Sequence, residues 1–185
     1  MNYRFHPAIG RAARQLASGG VLAYPTEGVW GLGADPRNRH AVEKILELKK
    51  RPVSKGVILV AAAAAQFEFI LRHLEPDQRA VLNASWPGPN TWLVPHHGEV
   101  PYWICGEHTT VALRVSAHPV VRALCQLAGP LVSTSANPQG LPPARSALKA
   151  RFYFGDQVEY APGQVNRNAK PSTIRDLVTG ALVRA

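Results

Sequence analysis

Hydrophobic and polar residues recur along the chain with two spacings, one typical of helices and one of buried strands. Ile9, Ala12, Ala13 and Leu16 lie at helical intervals, and they predict a helix over 8–18 that Gly19 ends. Short, largely apolar runs are typical of strands buried on both faces. Such runs occupy 21–24, 56–60, 91–94, 111–115 and 131–134.

Helical patterns separate these runs, at 39–50, 62–73, 76–84 and 119–129. Asn38 is placed to cap the first of them, and Pro119 suits the first residue of the last. Residues 172–184 predict a hairpin with its turn at Thr179–Gly180. Strands that alternate with helices, together with a closing hairpin, predict one α/β domain over 1–185 with an open, mixed sheet flanked by helices.

Composition narrows the class of protein further. The chain has 185 residues, of which 46% are hydrophobic and 18% charged, as in an ordinary globular domain. No apolar run reaches the roughly 18 residues of a membrane span, and residues 1–20 do not resemble a signal peptide. Cys105 and Cys125 form no CxxC pair. We therefore expect a cytoplasmic protein with no membrane partner and no disulfide framework.

An excess of positive charge indicates a polyanionic partner. Lys and Arg total 21 against 12 acidic residues, which gives a formal net charge of +9. Such a balance attracts nucleotides, pyrophosphate or nucleic acid. A generic basic surface is the alternative, and charge alone does not choose between them.

Polar clusters follow several of the predicted strands, which is where α/β sheets place ligands. Residues 24–33 combine three glycines, which let backbone N–H groups approach an anion, with Thr26 as a hydroxyl donor. The segment is neither a P-loop nor a Rossmann fingerprint, and a glycine-rich structural turn is the other interpretation. Residues 133–137 supply four small hydrogen-bonding side chains, which suit either a ligand or a turn.

Three cations lie between a helix and a strand, and a fourth interrupts a strand. Lys49, Arg51 and Lys55 surround a proline-stiffened turn, where they fit phosphates or simply end a helix. Arg114 lies within an apolar strand, so it needs an anionic partner, either a ligand or a carboxylate of the protein. No serine elbow and no zinc spacing is recognisable, so covalent catalysis and a protein-held metal are not indicated.

Seven segments together resemble the YrdC-like family, in particular its short bacterial threonylcarbamoyl-AMP synthases. The segments are YPTEGVWGLG at 24–33, KKRPVSKG at 49–56, WPGP at 86–89, VALRV at 111–115, STSAN at 133–137, GLPPAR at 140–145 and PSTIRD at 171–176. They follow the family's order and span nearly the whole chain. The resemblance implies a twisted open sheet with a positively charged concave cleft, and we expect no additional C-terminal domain of the kind that longer relatives carry.

The resemblance also implies the reaction and the residues that perform it. L-threonine, bicarbonate and ATP, with Mg²⁺ carried by ATP and no tightly bound organic cofactor, would give threonylcarbamoyl-AMP and pyrophosphate. Partner proteins would then transfer the threonylcarbamoyl group to adenosine 37 of tRNA. Lys49 and Arg51 match the family's catalytic K-x-R pair, and Thr26 and Arg114 match positions for threonine. The positions for ATP are Lys49, Arg51, Lys55, Ser133, Ser135, Asn137 and Ser172.

One departure and two alternatives accompany this resemblance. Many relatives have Asn-Pro-Leu after Arg-Pro, whereas this chain has Lys55, Gly56 and Val57 in that region. Similar domains occur in larger hydrogenase-maturation proteins, whose acylphosphatase and zinc-finger segments are not found in this sequence. A non-catalytic module that binds double-stranded RNA or tRNA is the other alternative, because the same charge would attract RNA.

Overall fold

A computed structural model describes residues 3–166, 168–169 and 172–184 of the chain. In these residues one mixed sheet has the strand order β7-β1-β2-β6-β3-β5-β4-β8-β9, with β7 and β9 at its two edges. The strands are β1 (Leu22–Pro25), β2 (Trp30–Gly33), β3 (Ile58–Ala61), β4 (Asn90–Pro95), β5 (Thr110–Val115), β6 (Leu131–Ser135), β7 (Glu159–Tyr160), β8 (Thr173–Asp176) and β9 (Leu182–Arg184). The α/β class and the mixed, open sheet are confirmed.

Both parallel and antiparallel pairs build the sheet. The parallel pairs are β1 with β7, β3 with β5, and β4 with β8, and the other neighbours are antiparallel. The predicted tail hairpin is confirmed as β8 and β9, and its pairing with β4 joins it to the sheet. Pro171, the first residue of the 171–176 motif, lies outside the described residues.

Helices cover the sheet between the strands. They are α1 (Pro7–Ala17), α2 (Arg39–Lys49), α3 (Glu68–Leu71), α4 (Pro76–Ser85), α5 (Tyr102–Cys105), α6 (Pro119–Ala128) and α7 (Ala147–Phe154). The predicted cap of α2 is confirmed, because the Asn38 side chain accepts a hydrogen bond of 3.1 Å from the Ala41 N–H. No helix in the described ranges is long and apolar enough to cross a membrane.

Two sequence predictions differ from the fold. The helix predicted over 62–73 is a 3₁₀ turn (Ala64–Phe67) followed by the single-turn α3. Its run of alanines has little apolar surface to hold a longer helix against the sheet. The glycine-rich segment after Thr26 is not only a turn, since Trp30–Gly33 forms β2 between β1 and β6.

The sheet separates two apolar cores. Along β1, Leu22 and Tyr24 pack into the smaller core with α1 and α6, whereas Ala23 faces the larger core that contains Trp30 of β2. This alternation follows from the two-residue period of a strand. Because β1 is buried on both faces, the turn that follows it has a fixed support.

Candidate active site

A cavity of about 700 Å³ lies on one face of the sheet, where alternate residues of β5 (Thr110, Ala112 and Arg114) and of β6 (Ser133 and Ser135) line it. All nine residues predicted from the sequence to bind substrate line it, although they come from five separate segments. They are Thr26, Lys49, Arg51, Lys55, Arg114, Ser133, Ser135, Asn137 and Ser172. None of the described lining residues is Asp or Glu, whereas five are Lys or Arg.

Thr26 begins the turn between β1 and β2. Its hydroxyl donates a hydrogen bond of 2.7 Å to the Val29 carbonyl, and its N–H donates to the same oxygen at 2.9 Å. That hydrogen closes the turn in this structure, so the hydroxyl donates within the protein, and its predicted role toward a ligand stays a prediction. Its remaining lone pairs make Thr26 an acceptor, which suits a ligand that carries an amine.

Lys49 ends α2 with its side chain only 6% exposed. Its ammonium donates hydrogen bonds to the carbonyls of Ser135 and Asn137, and the Gln139 N–H donates to the Lys49 carbonyl at 2.9 Å. Burial and the nearby positive charge of Arg51 lower the pKa of Lys49 to about 8. Lys49 thus braces the loop after β6, and one of its three ammonium hydrogens remains for a ligand.

Arg51 holds the turn that carries Lys55. Its Nε and Nη2 donate to the Gly56 carbonyl at 3.2 and 2.9 Å, and Nη2 also reaches the Lys55 carbonyl at 3.1 Å. Gly56 has a φ of 58°, and a Cβ there would lie 2.8 Å from the Cys105 carbonyl oxygen. This turn therefore needs glycine, and it presents Lys55, whose side chain is exposed, at the cavity rim.

The STSAN segment begins in β6 and ends beyond it, with Ser133 and Ser135 in the strand and Asn137 in the loop that follows. The Tyr24 hydroxyl donates a bond of 2.9 Å to Ser133 Oγ, and burial raises the pKa of Tyr24, so the phenol stays protonated. Ser133 consequently keeps its own hydrogen for a ligand acceptor. Asn137 Nδ2 donates to Pro138 and Leu141, whereas its Oδ1 is buried without a hydrogen-bond partner in the described structure.

The C-terminal hairpin supplies the remaining wall. Ser172 Oγ accepts from the Thr91 hydroxyl at 2.9 Å, and Arg184 Nη2 donates to the Ser172 carbonyl at 3.0 Å. Arg184 also lines the cavity, and sequence reasoning missed it. A signal was present, since Arg184 follows the apolar pair Leu182 and Val183 in a predicted strand, as Arg114 follows Leu113.

Arg114 has a carboxylate partner within the protein. Glu27, which follows Thr26, forms an ion pair with the guanidinium, and the two side chains are 18% and 13% exposed. Burial opposes ionisation of Glu27, but the charge of Arg114 and hydrogen bonds from Ser116 and Ala117 outweigh it and hold the pKa of Glu27 below its usual value. The sequence indicated that Arg114 needs an anionic partner, and Glu27 of the protein provides one.

A mixed sheet flanked by helices, with a cavity lined by five Lys or Arg side chains on one of its faces, defines an α/β protein with a cleft of the size that holds small molecules. The sequence model of the Sua5/YciO/YrdC family, described as telomere recombination, matches residues 14–185. The chain belongs to this family.

Similar proteins fit this assignment. A protein of Saccharophagus degradans named threonylcarbamoyl-AMP synthase is 56% identical over 186 residues, which cover 100% of this chain and 97% of that protein. A Pseudomonas fluorescens protein of the same name is 52% identical over 177 residues, with 95% and 96% covered.

Among solved structures, Sua5 of P. abyssi in complex with L-threonine superposes with a TM-score of 0.85 at 33% identity. The match covers 94% of this chain and 52% of that one, so this chain spans about half the length of that Sua5.

Proposed function

We propose that this protein is a threonylcarbamoyl-AMP synthase, which joins L-threonine, bicarbonate and ATP into threonylcarbamoyl-AMP and pyrophosphate. The observation that carries the proposal is that all nine residues matched to this activity line one cavity. Relatives that bear this name align over nearly their whole length at 51–56% identity. The proposal treats 1–185 as a single catalytic domain working in the cytoplasm.

Threonine is assigned to the end of the cavity formed by Thr26 and Arg114. The hydroxyl oxygen of Thr26 has its hydrogen committed to Val29, so it accepts from the amino group of the substrate. Arg114 is suited to the substrate carboxylate, because a guanidinium matches a carboxylate in shape and charge. The L-threonine complex of the P. abyssi Sua5 supports an amino-acid site in this fold.

ATP is assigned to the cationic end of the same cavity. Lys49, Arg51 and Lys55 are candidates to hold the phosphates, and Ser133 offers a hydroxyl hydrogen because Tyr24 already donates to its oxygen. Ser135, Asn137 and Ser172 complete the proposed nucleotide contacts. Lys55 stands where many relatives have Asn, and its exposed ammonium can meet a phosphate as a point charge.

The chemistry requires no nucleophile from the protein. The neutral amino nitrogen of threonine attacks carbon dioxide, and the resulting carbamate releases one amine proton to solvent. When bicarbonate is attacked instead, that proton leaves with the displaced hydroxide as water. A carbamate oxygen then attacks the α-phosphorus of ATP, while the bond between that phosphorus and the bridging oxygen breaks. Pyrophosphate leaves with the electron pair. Positioning and neutralisation of phosphate charge, chiefly by Lys49 and Arg51, would supply the catalysis.

Mg²⁺ is expected to accompany ATP rather than to reside in the protein. The described cavity lining includes no carboxylate, and no cluster of three or more His, Cys, Asp or Glu suited to a metal ion occurs in the described residues. Hard oxygen ligands would therefore come from the triphosphate and from water. We assign no step of the reaction to the ion.

The product is a mixed anhydride that water can hydrolyse. Partner proteins that transfer the threonylcarbamoyl group to tRNA would therefore need to collect it soon after release. We propose tRNA and these proteins as the downstream partners.

Activity should depend on the charge of Lys49. Because its pKa is about 8, kcat/KM for ATP at saturating threonine should fall as the pH rises through about 8, where the ammonium loses its proton. A lysine with its ordinary pKa would stay charged across this range. Initial rates between pH 6.5 and 9.5, with the neutral amine form of threonine kept saturating at each pH, test this, and a flat profile would show that the charge of Lys49 is not used.

The function itself is tested by pyrophosphate release from ATP with Mg²⁺, with threonine and bicarbonate omitted in turn. Release that requires both is the expected result. Release without either would indicate another adenylation or a hydrolysis. A folded protein that released no pyrophosphate but bound tRNA with steep salt dependence would instead be an RNA-binding module.

A further inference from the structure

The buried ion pair between Glu27 and Arg114 connects two distant parts of the sheet. Glu27 lies in the turn after β1, Arg114 lies in β5, and β2, β6 and β3 stand between those strands in the sheet order. Glu27 does not line the cavity, whereas Arg114 does. Glu27 can therefore act on a ligand only indirectly, and its ion pair connects it to Arg114.

Glu27 is fixed from the side opposite to Arg114. Its Oε1 accepts hydrogen bonds of 2.8 Å from Ser116 Oγ and 3.1 Å from the Ala117 N–H, and its Oε2 faces the guanidinium. Ser116 Oγ in turn accepts from the His118 N–H at 3.1 Å. The carboxylate is thus a fixed anion and not a mobile counterion.

Arg114 is in turn held along one edge of its guanidinium. Nε donates to the Gly88 carbonyl at 3.1 Å and Nη2 is paired with Glu27. The contact of Nη2 with Glu27 is an ion pair, and Nη2 has no hydrogen-bond partner among the described residues. The hydrogen bond of Nε and this ion pair together fix where the guanidinium lies, and Arg114 lines the cavity from that position.

The same pair distinguishes Arg114 from the other cations of the cavity. Among the described residues, the other four cations of the cavity form no ion pair with a carboxylate. These cations are Lys49, Arg51, Lys55 and Arg184. Glu27 and Arg114 are therefore close to neutral as a pair, while the other four cations have no carboxylate beside them in the described structure. A triphosphate is drawn to these unpaired cations, and a single carboxylate is satisfied by the directed hydrogen bonds of Arg114.

We propose that Glu27 is a positioning and specificity-determining residue, which orients Arg114 toward the carboxylate of the amino acid and cancels its charge so that phosphates are not held there. This inference rests on the proposed function and assigns a role in it to a residue that does not touch substrate. It requires that loss of the Glu27 charge harm amino-acid binding more than ATP binding, and that phosphates then compete for the vacated site.

The test compares wild type with Glu27→Gln by calorimetric binding of L-threonine and by steady-state kinetics. Glutamine preserves the size of the side chain, and its amide oxygen can still accept from Ser116 and Ala117. We expect threonine to bind on the order of tenfold more weakly because Arg114 is no longer held in place. KM for ATP should stay within about twofold, and inorganic pyrophosphate should become competitive with threonine.

Two further variants separate this role from a loss of folding. Glu27→Asp retains the negative charge, so threonine binding should recover most of the loss seen in Glu27→Gln. Glu68→Gln removes the carboxylate of the exposed Arg79–Glu68 pair, which lies outside the cavity, and it should leave both substrates unaffected. Thermal melting of each variant shows that binding was measured on folded protein.

Equal threonine affinity in wild type and Glu27→Gln would overturn the inference while leaving the proposed function intact. Equal weakening of threonine and ATP binding would also overturn it, because that result indicates a general structural role. Wild type that binds no threonine at all would overturn the proposed function, and this inference with it.

Discussion

Lys49→Met is expected to lower kcat/KM for ATP by roughly a hundredfold or more, as the loss of a single buried charge-stabilising donor does in other active sites. Methionine keeps the length of the side chain but removes the ammonium. The carbonyls of Ser135 and Asn137 then lose the donor that braces their loop, and the phosphates lose a cation. Because the loop loses its brace and ATP loses a positive charge, the variant should be impaired in ATP binding as well as in turnover.

Lys50 provides the matched control. It is the next residue in the chain and has the same side chain, but it is exposed and lies on the other side of the α2 terminus, away from the cavity. Lys50→Met should keep activity within about twofold of wild type, as surface changes usually do. Pyrophosphate release measured for both variants shows whether the loss of activity is specific to Lys49. Similar activities for the two would show that the brace is dispensable.

Gly33→Ala should destabilise the protein by on the order of 3 kcal/mol, which corresponds to a fall in Tm of roughly 6–12 °C for a chain of this size. A Cβ at Gly33 would lie 2.7 Å from the Val132 carbonyl oxygen and 2.6 Å from the ring of Tyr24. Neither neighbour can withdraw easily, because Val132 belongs to β6 and the Tyr24 ring is fully buried. The strain would separate β2 from β6.

Gly31→Ala is the control in the same strand. The nearest atom to its added Cβ would be the Thr134 carbonyl oxygen at 3.3 Å, a tight contact that a small shift relieves. Its Tm should fall by only a few degrees, roughly the effect of 1 kcal/mol. Thermal melts followed by circular dichroism compare the two variants. A Tm for Gly33→Ala no lower than that for Gly31→Ala would contradict the close approach of β2 and β6.

The sequence predicted the strands that carry a clear apolar run and nine of the residues that line the cavity. β1, β3, β4, β5 and β6 lie where apolar runs placed them, because a strand buried on both faces needs such a run. It did not predict β2, because its glycines also suit a turn. These glycines are there for close packing against β6 and Tyr24, and such packing depends on a partner strand far along the chain.

Contacts between remote segments were similarly hidden. The sequence indicated that Arg114 needs an anion, but not that Glu27 provides it, because the fold alone brings residues 27 and 114 together. It also placed Lys49 against phosphates without showing that two carbonyls already hold its ammonium. Thr26 was expected to donate to a ligand, and the structure shows that its hydroxyl donates to Val29 within its own turn. The residue types thus predicted which side chains lie at the cavity. The hydrogen-bond partners of those side chains could be identified only from the three-dimensional structure.

The C-terminal hairpin has a consequence for how the protein folds during its synthesis. On the ribosome the chain emerges from its N-terminus, so Ser172 and Arg184 appear after all the strands from β1 to β7. β8 pairs with β4, and about eighty residues are added between the synthesis of these two strands. A nascent chain can therefore build much of its sheet early and still lack one wall of the cavity. That wall is completed only after β8 and β9 have been made.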